Sequence, residues 1–366
     1  MPFLTILLPM RMTTLAGADD LTWLAIATIA GAVTASVANI AFGWASDRTG
    51  SRVPWIATGL ITSCALLVSF AAASTPAIVI GLLIAWQCAL NMLLASLAAW
   101  AGDCVPDRQK GALGGLLAFA PAAGAAAGVL ITLPGLAQGD ARLWLVAAIV
   151  GLCVAPVLLF GRPLTFPELM RDPPHPGARA RAGSQAARMW IARLLIQVSE
   201  AALFAFLYFW LRSIDPGITD ARVAQTFGAI LFCAAPIALM VGRWADRRER
   251  PFAPLAATAA GATAGLLTMA LAPGLALALA GYVVFGLSAS IFLSLHSAQT
   301  LRVLPRAAHR GRDLGIFNLT NTAPSVAVPW LTLALVPSFG FTGLFVALAA
   351  CAFAATLLLV RFPRSA

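Results

Sequence analysis

Charge is the scarcest feature of this sequence. Only 10% of its 366 residues are Asp, Glu, Lys or Arg, while 60% are hydrophobic. A soluble domain needs far more charge on its surface, so a water-soluble globule is excluded. Acids are scarcer still, 14 against 24 Lys and Arg, which leaves a net charge of +10. The six Cys fall in or beside apolar runs. They show neither metal-ligand spacing nor a disulfide framework, and ordinary packing is expected for each. No nucleotide-binding loop, nucleophile–base set or metal cluster is visible, so neither an enzyme nor a cofactor is expected. The alternation that marks a barrel is also missing, because the apolar runs are continuous.

Those runs dominate the chain. Each of about 20 residues is long enough to cross a ~30 Å hydrocarbon core. Full spans are expected at 21–44, 53–73, 76–101, 112–133, 143–160, 189–211, 223–241, 252–271, 275–301, 314–335 and 341–360. Ahead of them, 3–10 is apolar but only about 12 Å long as a helix. It is read as the outer end of a first helix whose inner part is missing. The stretch 162–188 is basic and rich in Pro, with Pro163, Pro167, Pro173, Pro174 and Pro176, and reads as a linker. The expected organisation is an N-terminal bundle at 1–161, a linker at 162–188 and a C-terminal bundle at 189–366.

With Asp47 assigned to the cytoplasm, all Lys and Arg but Arg11, Arg142, Arg212 and Arg222 lie inside. This positive-inside bias sets the orientation. Loops 2–3, 4–5, 6–7, 8–9, 10–11 and the C-terminus are then expected to be cytoplasmic. The basic excess thus serves topology, and nucleic acid is not an expected partner.

Two charged turns repeat. Gly43-Trp44-Ala45-Ser46-Asp47-Arg48 and Gly242-Arg243-Trp244-Ala245-Asp246-Arg247 share the pattern G-x-x-x-D-R, at an offset of 199 from 43 to 242. Pro106 and Pro305 repeat at the same offset. Each charged turn follows the second span of its half and faces the same side. The expectation is two six-helix bundles in parallel repeat, related by an axis along the membrane normal.

This layout and the turn Gly43 to Arg52 resemble the major facilitator superfamily across essentially the whole chain. Asp103-Cys104-Val105-Pro106-Asp107-Arg108-Gln109-Lys110-Gly111 and Gly311-Arg312-Asp313-Leu314-Gly315 resemble its bacterial glycoside and sucrose symporters. The resemblance implies an all-α fold of two six-helix bundles. It also implies a cytoplasmic gate of Gly43, Asp47, Arg48, Arg52, Gly242, Asp246 and Arg247. Glycines allow close helix approach. Each Asp ends a helix, a poor place for an anion, and the resemblance supplies a partner in the other half. Asp47 would face the helix start at 311–315 and Asp246 that at 111–115, with Arg48 and Arg247 completing a charge network.

Ionisable residues inside spans are few. Glu200 lies midway along the seventh, and Arg193, Gln197, Phe204 and Tyr208 share its face by spacings of three and four. A carboxylate at that depth marks a functional site, here a carrier of the coupled proton, or else pairs with Arg193. His296 is a second candidate for the proton. Trp86, Gln87 and Asn91 fall where the resemblance puts a cavity lining, and they suit a sugar. With Gln197, Asn318 and Asn321 they form the expected substrate set. Asn39 is read as packing, and Pro121, Gly124 and Gly128 as a bend.

The function expected is secondary transport of a sugar or sugar-like solute by proton symport with alternating access. Proton-coupled export of amphipathic compounds and a truncated, non-transporting homologue are the alternatives. The expected partners are the solute, protons and the lipid bilayer, with the protein a monomer.

Overall fold

The computed structural model describes residues 3–133, 135–161, 166, 169, 176–304 and 306–360. Every regular element among them is helical. A short π-helical turn, Phe3–Leu7, leads into α1 (Leu8–Ala16). Then follow α2 (Asp20–Thr49), α3 (Val53–Ser69), α4 (Pro76–Cys104), α5 (Lys110–Leu117), α6 (Phe119–Thr132) and α7 (Ala141–Phe160). The rest comprises α8 (Pro176–Ile214), α9 (Asp220–Arg247), α10 (Ala253–Ala270), α11 (Leu275–Val303) and α12 (Arg310–Val360).

Among the described residues, ten helical stretches are long and apolar enough to cross a membrane. The last, 54 residues long, takes in two of the expected spans. It bends at Gly340, whose φ of 64° lies in the left-handed region that a side chain disfavours. The expected span at 112–133 is interrupted between α5 and α6. Pro121 explains the break, since it has no N–H to give the carbonyl of Leu117 four residues back. Residues 176–188 are helical and continuous with the seventh span. Pro176 starts the helix, where its missing N–H costs nothing. The stretch after it is rich in Ala and Arg, both strong helix formers. Pro163, Pro167, Pro173 and Pro174 lie outside the described residues, as does Pro305.

The chain forms two compact units. The first comprises 1–104, 123–172 and 306–319. In it α2 and α3 pack on α4, and α7 packs on α3. Its core gathers Phe3, Met12, Phe70, Leu83, Trp86, Ile131 and Leu143. The second comprises 105–122, 173–305 and 320–366. There α11 is the hub, packed against α5, α8, α9 and α10. Leu255, Ala259 and Leu266 of α10 and Phe285 and Phe292 of α11 are fully buried or nearly so.

Candidate functional site

In the first unit the turn after α2 grips the start of α12. Asp47 Oδ1 accepts a hydrogen bond from Gly311 N at 2.9 Å, and Oδ2 accepts one from Arg312 N at 2.9 Å. These are two of the donors that a helix start leaves without partners. The N-terminal partial charge offsets the poor placement of Asp47 at the end of its own helix. The approach requires glycine, because a Cβ on Gly43 would collide with the carbonyl of Gly311.

The second unit repeats the arrangement. Asp246 takes Gly111 N at 2.9 Å on Oδ1 and Ala112 N at 2.8 Å on Oδ2. A Cβ on Gly111 would meet the carbonyl of Gly242. The side chains of Asp47 and Asp246 are only 2% and 8% exposed, so removal of their partners would leave buried charge.

The cations on these acids are not the expected pair. Arg48 is exposed and lies over the ring of Trp44, 5.6 Å from its centroid. Arg247 is exposed. Arg52 binds Asp47 at 2.7 Å and reaches Asp103 with Nε at 3.0 Å. Asp103 also pairs with Arg310, which donates to the Leu169 carbonyl at 2.7 Å. In the second unit Arg302 binds Asp246 at 3.2 Å and the carbonyl of Asp107. Lys110, buried, pairs with Asp107 at 2.6 Å and donates to the Leu301 carbonyl at 3.2 Å. Asp103, Lys110, Arg302 and Arg310 were missed in the sequence as members of these networks. The signal was there. Asp103 and Arg302 stand at the 199 offset, and Lys110 and Arg310 precede the paired glycines.

A second constellation lies within the second unit, on α8, α11 and α12. Arg193 Nη1 donates to Ser297 Oγ at 3.0 Å and to the Leu293 carbonyl at 3.4 Å, and faces His296 Nδ1 at 3.4 Å. Its Nη2 donates to Asn321 Oδ1 at 3.2 Å, and Gln197 Nε2 donates to the same oxygen at 2.6 Å. Two donors on one atom fix the orientation of the Asn321 amide. His296 is fully buried, and its Nε2 lies 3.0 Å from the carbonyl of Met189. A carbonyl only accepts, so Nε2 carries the hydrogen and Nδ1 is the acceptor. Glu200 is half-buried and interacts electrostatically with Arg193 and with buried Tyr282. None of its oxygens comes within 4.0 Å of a cationic nitrogen among the described residues. The expected face diverges beyond it. Phe204 is 77% exposed and meets Phe227 edge to face, while Tyr208 packs beside Phe209.

The other expected substrate residues belong to the first unit. Trp86 packs edge-on to Phe3, with centroids 4.9 Å apart, inside the core of the first unit. Gln87 and Asn91 are buried in an amide chain. Asn91 Nδ2 donates to the Gln87 carbonyl at 2.9 Å, and Asn39 Nδ2 donates to Asn91 Oδ1 at 3.0 Å. Asn39, read as packing, thereby ties α2 to α4. Asn318 is half-buried in the first unit, while Asn321 belongs to the second.

No protein-family model and no curated protein matches the sequence. Solved structures do. The human organic anion transporter MFSD10 (TETRAN) is 13% identical with a TM-score of 0.74, over 96% of this chain and 88% of that one. The E. coli fucose:proton symporter FucP is 16% identical with a TM-score of 0.75, over 93% and 90%. The proton:xylose symporter XylE, bound to 6-bromo-6-deoxy-D-glucose, is 13% identical with a TM-score of 0.71, over 96% and 88%. Likeness at such identity is one of fold. The chain is an all-helical, multi-pass membrane protein with the fold of major facilitator superfamily transporters.

Proposed function

We propose that this protein is a major facilitator that moves a small polar solute, a sugar or sugar-like compound, across the bacterial inner membrane by proton symport. One observation carries the reading. Arg193, Gln197, His296 and Asn321 converge on helices apolar enough to cross the bilayer, and Glu200 lies further along α8 within electrostatic reach of Arg193. Ionisable groups are expensive there and are kept for a site or a pathway. Two of the solved structures that share the fold are sugar:proton symporters by description.

In this reading the halves 1–161 and 189–366 rock about a midplane site, joined by the linker at 162–188. The protein works as a monomer. The charged turns are cytoplasmic, and each grips a helix start from the other half of the sequence. They hold in one state of the cycle and release in the other. Glu200 carries the proton. His296 serves as an acceptor toward Arg193, because its Nε2–H is already given to the Met189 carbonyl. Gln197 and Asn321 supply amides for solute hydroxyls. Trp86 supports the fold through its core packing.

The organic anion transporter of the same fold favours a second reading, export of amphipathic compounds. Reconstitution in proteoliposomes separates the two. An inward proton gradient should drive accumulation of one sugar from a panel, and an unlabelled excess should exchange it. Extrusion of an amphipathic dye without any sugar flux would favour export.

A further inference from the structure

Arg193 is the feature of this site that a neutral solute leaves unexplained. It stands seven residues before Glu200 on α8, about 10 Å along the helix. A guanidinium keeps its charge at any working pH, and a fixed charge in a spanning helix is costly. Its hydrogen-bond partners are all neutral: a carbonyl, a hydroxyl, an imidazole and an amide. Glu200 acts on it only from beyond ion-pair distance. A guanidinium has five N–H donors. Nη1 is committed to Leu293, His296 and Ser297, and Nη2 gives one hydrogen to Asn321. Nε–H and the second N–H of Nη2 have no protein acceptor among the described residues. Two coplanar donors on neighbouring nitrogens match the two oxygens of a carboxylate.

We propose that the transported solute carries a carboxylate, that Arg193 anchors it, and that Glu200 is protonated while the anion is bound. This rests on the reading of the α8 constellation as the solute site. An ionised Glu200 offsets the Arg193 charge and repels an incoming anion. A neutral Glu200 does neither. Anion and proton therefore enter together, and the pair carries no net charge. The groups that act on Glu200 are Arg193 from its own helix and Tyr282 from α11. His296, also from α11, turns Nδ1 toward Arg193. Sugar acids, uronates or aldonates, fit this chemistry. They add the anion while keeping hydroxyls for the amides of Gln197 and Asn321.

The test uses the purified full chain in detergent. Uronates, aldonates and their neutral parent sugars are compared by ligand-induced thermal shift at acidic and alkaline pH. At least one acid should bind about tenfold or more tightly than its parent, and more tightly at acidic pH. Arg193→Gln should abolish that preference. Arg193→Lys, which keeps the charge without the fork, should retain part of it and controls for folding. Glu200→Gln should keep the preference and lose its pH dependence. A neutral parent that binds as tightly as its acid, or acid binding that survives in folded Arg193→Gln, would overturn the anion anchor while leaving a solute site. Acid binding that is pH-independent in the wild type would overturn the role of Glu200. Silence from acids and neutral sugars alike would overturn both this proposal and the sugar reading.

Discussion

Asp103 and Arg302 hold the same place in the two halves of the sequence and carry opposite charges, yet each completes the network around its unit's gripping aspartate. Asp103 reaches Asp47 through Arg52, which bridges the two acids at 3.0 and 2.7 Å. Arg302 binds Asp246 itself at 3.2 Å. Where the first half has Arg52, the second has Pro251 at the 199 offset. The two turns thus share the Asp-to-helix-start contact and differ in the source of the cation.

Asp47→Ala should remove two charge-assisted hydrogen bonds to Gly311 and Arg312 and leave Arg52 without one of its two acids. The expected loss is about 2–4 kcal/mol of the gripped arrangement. Labelling of a Cys introduced near the turn, from the cytoplasmic side, should become faster than in the wild-type background. Unchanged labelling would remove the gate role.

Gly111→Ala places a methyl group against the Gly242 carbonyl and the Asp246 carboxylate. Overpacking of this kind costs about 1–3 kcal/mol. The thermal midpoint in detergent should fall. Gly81→Ala, inside α4 where a Cβ meets nothing within 4 Å, is the matched control and should not lower it.

Arg302→Ala and Arg247→Ala should differ. Arg302 is nearly buried against Asp246, and its removal leaves that acid without its cationic partner, at a cost of about 3 kcal/mol. Arg247 is exposed, and its loss should stay within about 0.5 kcal/mol. Equal effects on thermal stability would contradict the network as drawn.

Trp86→Ala should act on stability, not on solute choice. Trp86 fills a core with Phe3, Phe70 and Leu83, and a cavity there costs about 3 kcal/mol or more. A lowered midpoint with unchanged relative affinities across a solute panel would confirm packing. Altered preference at an unchanged midpoint would return Trp86 to the solute site.

The spans were legible because each apolar run has one stable solution in a bilayer, a helix. The helix over 176–188, at the end of the expected linker, was masked by the prolines that precede it. The last proline sits at the first position of the helix, where it is tolerated. The gripping pairs Asp47–Gly311 and Asp246–Gly111 could be anticipated from the paired turns and the resemblance they carry. Which arginine joins them could not. Arg48 and Arg247 adjoin the acids in sequence, but successive residues on a helix point about 100° apart. The cation instead comes from a turn later in the chain, Arg52, or from another helix, Arg302. Periodicity did place Arg193 and Gln197 together. It could not show that Asn321 bridges them, since that contact spans more than a hundred residues.

The measurement that tests the central claim most directly is external pH in de-energised cells expressing the protein, as sugars and sugar acids are added, with Glu200→Gln beside it. Transient alkalinisation is expected with one solute and should be absent from the variant at equal expression. Alkalinisation of equal size in Glu200→Gln would contradict the assignment of the proton. No response to any solute, with the protein present in the membrane, would contradict symport.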